Sequence, residues 1–160
     1  NALFVGRNPQ KAVDLLAPIE GRLVELSEYN SMVVLGSAAT EIGDQATALR
    51  VLRKAAEETE NEPFYLAWAQ SLIRFGRDEE AEKIIIKQLE NLDAKGLSVL
   101  GWTQSRLGKH DQAAERFLAS YTKEPSEDAA KGLVFSAVQA KKLQPILTAL
   151  NKHPNGPLVP

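Results

Sequence analysis

Two histidines, His110 and His153, and the carboxylates Glu57, Glu58, Glu60 and Glu62 are the residues of this 160-residue chain that could do metal or acid–base chemistry. A metal site needs a second ligand about one helical turn away, and neither histidine has a His or Cys at such a spacing. His110 follows Gly108 in a turn, where a solvated polar residue is expected. The four glutamates fall where a helical hairpin ends and read as a solvated loop. The chain has no cysteine, which excludes disulfides, thiol catalysis and thiolate metal sites together. No Gly-rich phosphate loop, nucleophile elbow or Ca-binding loop occurs. The sequence therefore reads as a non-enzyme that needs no cofactor and no metal.

Charge narrows the partners. The formal net charge is −2, so bulk attraction to nucleic acid or to an anionic lipid surface is not expected. Basic pairs such as Arg53-Lys54 and Lys141-Lys142 are interspersed with acids and read as solvated helix faces. The longest uncharged apolar run, Met32 to Ala39, is too short to cross a bilayer, so no membrane insertion of this segment is expected. With 44% hydrophobic residues the chain can build a real core. No signal peptide is visible, and the start at Asn1 reads as that of a piece of a longer protein.

Self-comparison yields the elements. A glycine, an alanine five residues on and a large apolar residue four further recur as Gly43, Ala48, Leu52, as Gly76, Ala81, Ile85, and as Gly108, Ala113, Phe117. The glycines lie 33 residues apart (43 to 76) and then 32 (76 to 108), the period of stacked helical hairpins. Each glycine suits the left-handed end of a first helix, and Asp44 and Asp78 can cap the second. The alanines, and Gly101 on the opposing helix, let two helices approach closely, which outweighs the ~1 kcal/mol a helical glycine costs. Lys109, in the third turn, reads as an exposed residue of little consequence for stability.

At these residues the sequence resembles the tetratricopeptide repeat family. One copy carries Leu100-Gly101, Gly108, Ala113, Phe117 and Pro125, and an earlier one carries Leu35-Gly36, Gly43, Ala48, Leu52 and Ala55. Between them Tyr65, Trp68-Ala69, Leu72, Gly76, Ala81 and Ile85 form a looser copy. The expected fold is all-α, a right-handed superhelical solenoid of antiparallel helix hairpins. Its parts are a partial, irregular repeat at 1–28, repeats at 29–61, 62–93 and 94–126, a degenerate fourth hairpin or cap at 127–153, and a tail at 154–160. In the first part Asn8-Pro9 caps and opens a helix that Pro18 and Gly21 break. In the fourth hairpin Lys141-Lys142 occupies the glycine turn and Pro145 opens a second helix carrying Ile146 and Leu150.

The resemblance also implies a binding face, since first helices line a concave groove in that family. Stepping by the repeat aligns Ser37, Gln70, Trp102 and Phe135 in one row, and Glu41, Arg74, Arg106 and Gln139 in a second. Val33, Leu66, Ser98 and Lys131 form a third. The partner-binding residues expected from these rows are Ser37, Glu41, Gln70, Arg74, Trp102, Arg106, Lys131 and Phe135. A partly exposed Trp102 would anchor a partner; packing between neighbouring repeats is the competing reading. Arg74 and Arg106 could hold a carboxylate or phosphate bidentately, or pair with acids of the array such as Glu41. Chaperone-binding family members clamp a C-terminal carboxylate with Lys and Asn, but Val33 and Ser37 stand at those places here.

The function expected is a non-catalytic scaffold segment that binds a peptide or protein surface. A second reading is a tetratricopeptide scaffold of a bacterial polysaccharide (cellulose-type) synthesis and export complex, because "EPSEDAAKGLVFSAV" resembles repeats of such subunits. That reading would make the partners components of the complex and the compartment the periplasm. A third is a structural spacer or self-association module.

Overall fold

Three short turns, each built around a glycine, set the geometry of the chain in the computed structural model, which describes residues 8–141. Gly43, Gly76 and Gly108 have φ of +85°, +73° and +74°, the left-handed region that other residues enter at a cost of about 1–2 kcal/mol. Each turn closes with the same pair of hydrogen bonds. In the first, Gly43 N–H reaches Thr40 O at 3.3 Å and Asp44 N–H reaches Ala39 O at 2.9 Å. The pairs Gly76 to Ile73 and Arg77 to Leu72, and Gly108 to Ser105 and Lys109 to Gln104, repeat this Schellman pattern.

The elements between the turns are helices α1 (Pro9–Leu16), α2 (Glu20–Glu25), α3 (Tyr29–Ile42), α4 (Gln45–Thr59), α5 (Glu62–Arg74), α6 (Asp78–Lys87), α7 (Ala94–Arg106), α8 (His110–Lys123) and α9 (Glu127–Gln139). A 3-10 turn, Ala17–Ile19, joins α1 to α2. Among the described residues there is no strand. No described helix is long and apolar enough to cross a membrane. The caps expected at Asn8 and Asp44 form, their side chains accepting the N–H groups of Lys11 and Thr47, and Asp93 and Ser126 add two more by accepting from Gly96 and Ala129. Asp78 is instead the first residue of α6, where its charge suits the positive helix end. Pro18 ends α1 as expected, but Gly21 lies inside α2 rather than breaking it. The open surroundings of Gly21 leave the helix free to run through it.

The helices gather into two compact units, divided between Ala81 and Glu82. In the first, α3 packs against α1, α4 and α5. Its core contains Leu23, Met32, Leu35, Val51, Leu52 and Ala55, with Phe64 and Trp68 packed against them. Gly36 explains the closeness of α3 and α4, because an added Cβ would run into the Leu52 and Val51 side chains.

In the second unit α8 packs against both α7 and α9. Phe117, fully buried, lies where Gly101 of α7 and Gly132 of α9 leave room for it: a Cβ on Gly101 would meet its ring at 2.9–3.0 Å, and one on Gly132 would overlap it. The Gly101 contact is the one expected from sequence; Gly132 is an addition. Ala48 and Ala113 are completely buried, as helix seams require.

Residue 141 extends the periodicity. Lys141 has φ +56°, and its N–H reaches Val138 O at 3.1 Å. A lysine thus takes the conformation that glycine takes in the three earlier turns. The remainder of the expected fourth hairpin, with Pro145, Ile146 and Leu150, lies outside the described residues, as do His153, the tail at 154–160 and the segment before Asn8.

Candidate functional site

Each unit holds its own part of the expected rows. In the first, α3 and α5 run side by side, and a buried hydrogen bond of 2.8 Å between the Thr40 and Ser71 hydroxyls fixes their register. Next to Thr40, and nearly one turn beyond Ser71, Glu41 and Arg74 form an ion pair at 3.6 Å, both about half exposed. The repeat phase therefore does place these two side by side, and Arg74 has its acid partner within the chain. Screening by water makes such a pair worth about 0–1 kcal/mol, so an anionic ligand can compete for the guanidinium. Ser37, half-buried, and Gln70, exposed, precede this pair by one turn.

In the second unit the aromatic members of the row meet. Trp102 of α7 and Phe135 of α9 have ring centroids 6.3 Å apart at 40°. Trp102 also stands edge-on to Phe117 at 4.9 Å and 71°, so its inner side belongs to the core. The indole Nε1 donates to both carboxylate oxygens of Asp128, at 3.1 and 3.2 Å. Packing thus fixes the inner side of Trp102, and its half-buried state leaves part of the side chain at the surface. Phe135 is 46% exposed, and Val134 and Val138 beside it on α9 are exposed as well.

The cationic members are arranged differently. Lys131 pairs with Glu127 one turn earlier at 2.6 Å, and this hydrogen bond holds the Glu127 carboxyl below the usual range. Arg106 is exposed on α7, one turn beyond Trp102.

Three features of this unit are absent from the sequence reading. Asp128 orients the tryptophan. His110, expected in solvent, lies half-buried with its ring edge-on to Phe135 at 6.3 Å, and its Nδ1 is buried. The physical reason is that α8 begins at His110 itself, so the ring leaves the helix start toward α9 rather than the loop. Lys109 is the third: its ammonium bonds Glu82, a carboxylate only 5% exposed that also accepts from Gln104 at 3.2 Å. Lys109 is thus the counter-charge of a buried acid, not an inconsequential surface residue.

No protein-family model and no curated protein matches the sequence. Solved structures match the fold. A crystal structure of MamA superposes with TM-score 0.67 at 15% identity, over 93% of this chain and 91% of that one. MamA AMB-1 gives TM-score 0.64 at 18% identity, over 91% and 95%. The Sgt2 tetratricopeptide-repeat domain from Aspergillus fumigatus gives 0.63 at 16% identity, over 74% and 82%. Likeness at such identities concerns fold and not function. The all-α array of helical hairpins described here has the fold of tetratricopeptide-repeat solenoids.

Proposed function

We propose that this chain is a non-catalytic scaffold segment that binds a peptide or protein surface on the face formed by the first helices of its hairpins. The observation that carries the reading is the Trp102–Phe135 pair, an aromatic surface held in place before any partner arrives. Asp128 fixes the indole and Phe117 supports it, so little side-chain entropy remains to be lost on binding. Phe135 supplies exposed apolar area to be buried, and Arg106 supplies charge at one end. In the first unit Ser37, Glu41, Gln70 and Arg74 supply a polar counterpart on α3 and α5.

Photo-crosslinking tests this reading. A benzophenone side chain at position 135 should capture a partner from the native extract, and one at exposed Lys95 should not. Equal capture from both positions would contradict the assignment. A spacer would give capture from neither, and a self-association module would give crosslinks between copies of the chain. The narrower reading, a scaffold in a polysaccharide export complex, rests on the sequence resemblance. It predicts an upstream signal peptide and a downstream β-barrel pattern in the full gene.

A further inference from the structure

Arg53 belongs to none of these rows, yet it lines a cavity in the first unit. The cavity has a volume of about 240 Å³ and is lined by Leu49, Arg50 and Arg53 of α4, Trp68 and Leu72 of α5, and Arg77 and Glu80 around the start of α6. Three arginines thus share the lining with Leu49, Leu72 and Trp68, the last of which is packed against the core.

Two of the arginines are each held by a carboxylate. Arg50 donates Nε and Nη2 to Glu20 at 2.9 and 2.5 Å, and Arg77 donates Nε and Nη2 to Glu80 at 2.6 Å each. These contacts use one edge of each guanidinium, which carries five N–H donors, and leave Nη1 and the outer Nη2 hydrogen for a second acceptor. Glu20 and Glu80 balance the charge of these two. Arg53, 60% exposed and 4.0 Å from Glu57, adds a cation with only a loose counter-charge. Sites that enclose a whole small ligand span roughly 300–1,000 Å³, so this smaller space suits individual side chains of a longer chain.

We propose that this cavity is a second interaction site of the scaffold, taking side chains of an acidic peptide segment that carries one apolar residue. Carboxylates engage Arg53 and the open edges of Arg50 and Arg77, while the apolar side chain rests on Trp68. The site shares no residue with the Trp102–Phe135 face, so either can fail without the other.

The whole chain is titrated with acetyl-Asp-Glu-Leu-Glu-amide and with its uncharged counterpart acetyl-Asn-Gln-Leu-Gln-amide, following both indole N–H resonances by NMR. The acidic peptide should shift the Trp68 resonance saturably and leave that of Trp102 in place. The uncharged peptide should bind at least about tenfold more weakly, and raising salt from about 50 to about 300 mM should weaken the acidic one. Arg53→Gln, a surface change, should weaken it at least about fivefold with the helical spectrum unaltered. Equal shifts from the two peptides, no Trp68 shift at millimolar peptide, or unchanged affinity in Arg53→Gln would overturn the proposal. Displacement by an equal concentration of inorganic phosphate would also overturn it, by showing a general anion site.

Discussion

The indole Nε1 of Trp102 is shared between the two carboxylate oxygens of Asp128, at 3.1 and 3.2 Å, across 26 residues of sequence. This contact ties α7 to α9 at the edge of the core and orients the ring beside Phe135. Asp128→Ala should lower stability by about 0.5–1.5 kcal/mol, read from urea unfolding. It should also broaden the Trp102 indole resonance, because the ring loses its orienting acceptor. Unchanged stability together with an unchanged resonance would mean that the ring is held by Phe117 alone.

The same substitution should have opposite signs at two glycines. Gly132→Ala drives a methyl group into the Phe117 ring and should cost about 1–3 kcal/mol, against the gain of about 1 kcal/mol that alanine brings to a helix. Gly21→Ala, inside α2 with open space where its Cβ would be, should keep that gain and stabilise. Thermal melts of both variants decide the matter; a stabilised Gly132→Ala would show that α8 and α9 are not in close contact.

Lys109→Ala leaves the buried Glu82 carboxylate with Gln104 in place of a charged partner. The expected cost is about 1–3 kcal/mol, against less than about 0.5 kcal/mol for a surface change such as Lys95→Ala. Removing both members in Glu82→Leu/Lys109→Ala should recover part of that loss, since the uncompensated charge disappears with its partner.

The helix cap at Asp44 gives a pH dependence of known sign. Hydrogen bonds from the Thr47 side chain and backbone N–H hold the Asp44 carboxyl below its ordinary range, and its small burial opposes them. A carboxyl whose pKa is lower folded than unfolded contributes stability above the unfolded value, and that contribution is lost as pH falls through the folded one. Asp44→Asn keeps an acceptor for the cap but cannot titrate. Its stability should fall less than that of the parent as pH drops below about 4, and parallel curves would contradict the assignment.

Those parts of the fold that depend on a single short stretch were legible from sequence. Gly43, Gly76 and Gly108 announce their turns because only glycine enters that conformation freely, and Gly101 announces a close approach because a helix otherwise disfavours it. Period alone then placed Glu41 beside Arg74 and Trp102 beside Phe135. The rest required side-chain directions across helices. Asp128 looks in sequence like any acid in a first helical turn, and Glu82 like any solvated glutamate beside a lysine. The arginine-lined cavity draws on three helices, so no spacing within one of them reveals it. Phase alone placed the turn at Lys141, where a lysine enters at a cost the backbone that glycine enters freely.

The binding face is tested most directly by partner affinity in Phe135→Ala. Trp102→Ala would also remove core packing against Phe117, whereas Phe135 is half exposed and its truncation should leave the fold intact. Dissociation constants for the partner captured by crosslinking are measured for the parent and Phe135→Ala, with circular dichroism confirming equal helix content. A loss of more than about tenfold, equivalent to about 1.4 kcal/mol, is expected if the Trp102–Phe135 surface is buried by the partner. Equal affinity in the two proteins would contradict that role and move the interaction to another surface of the chain.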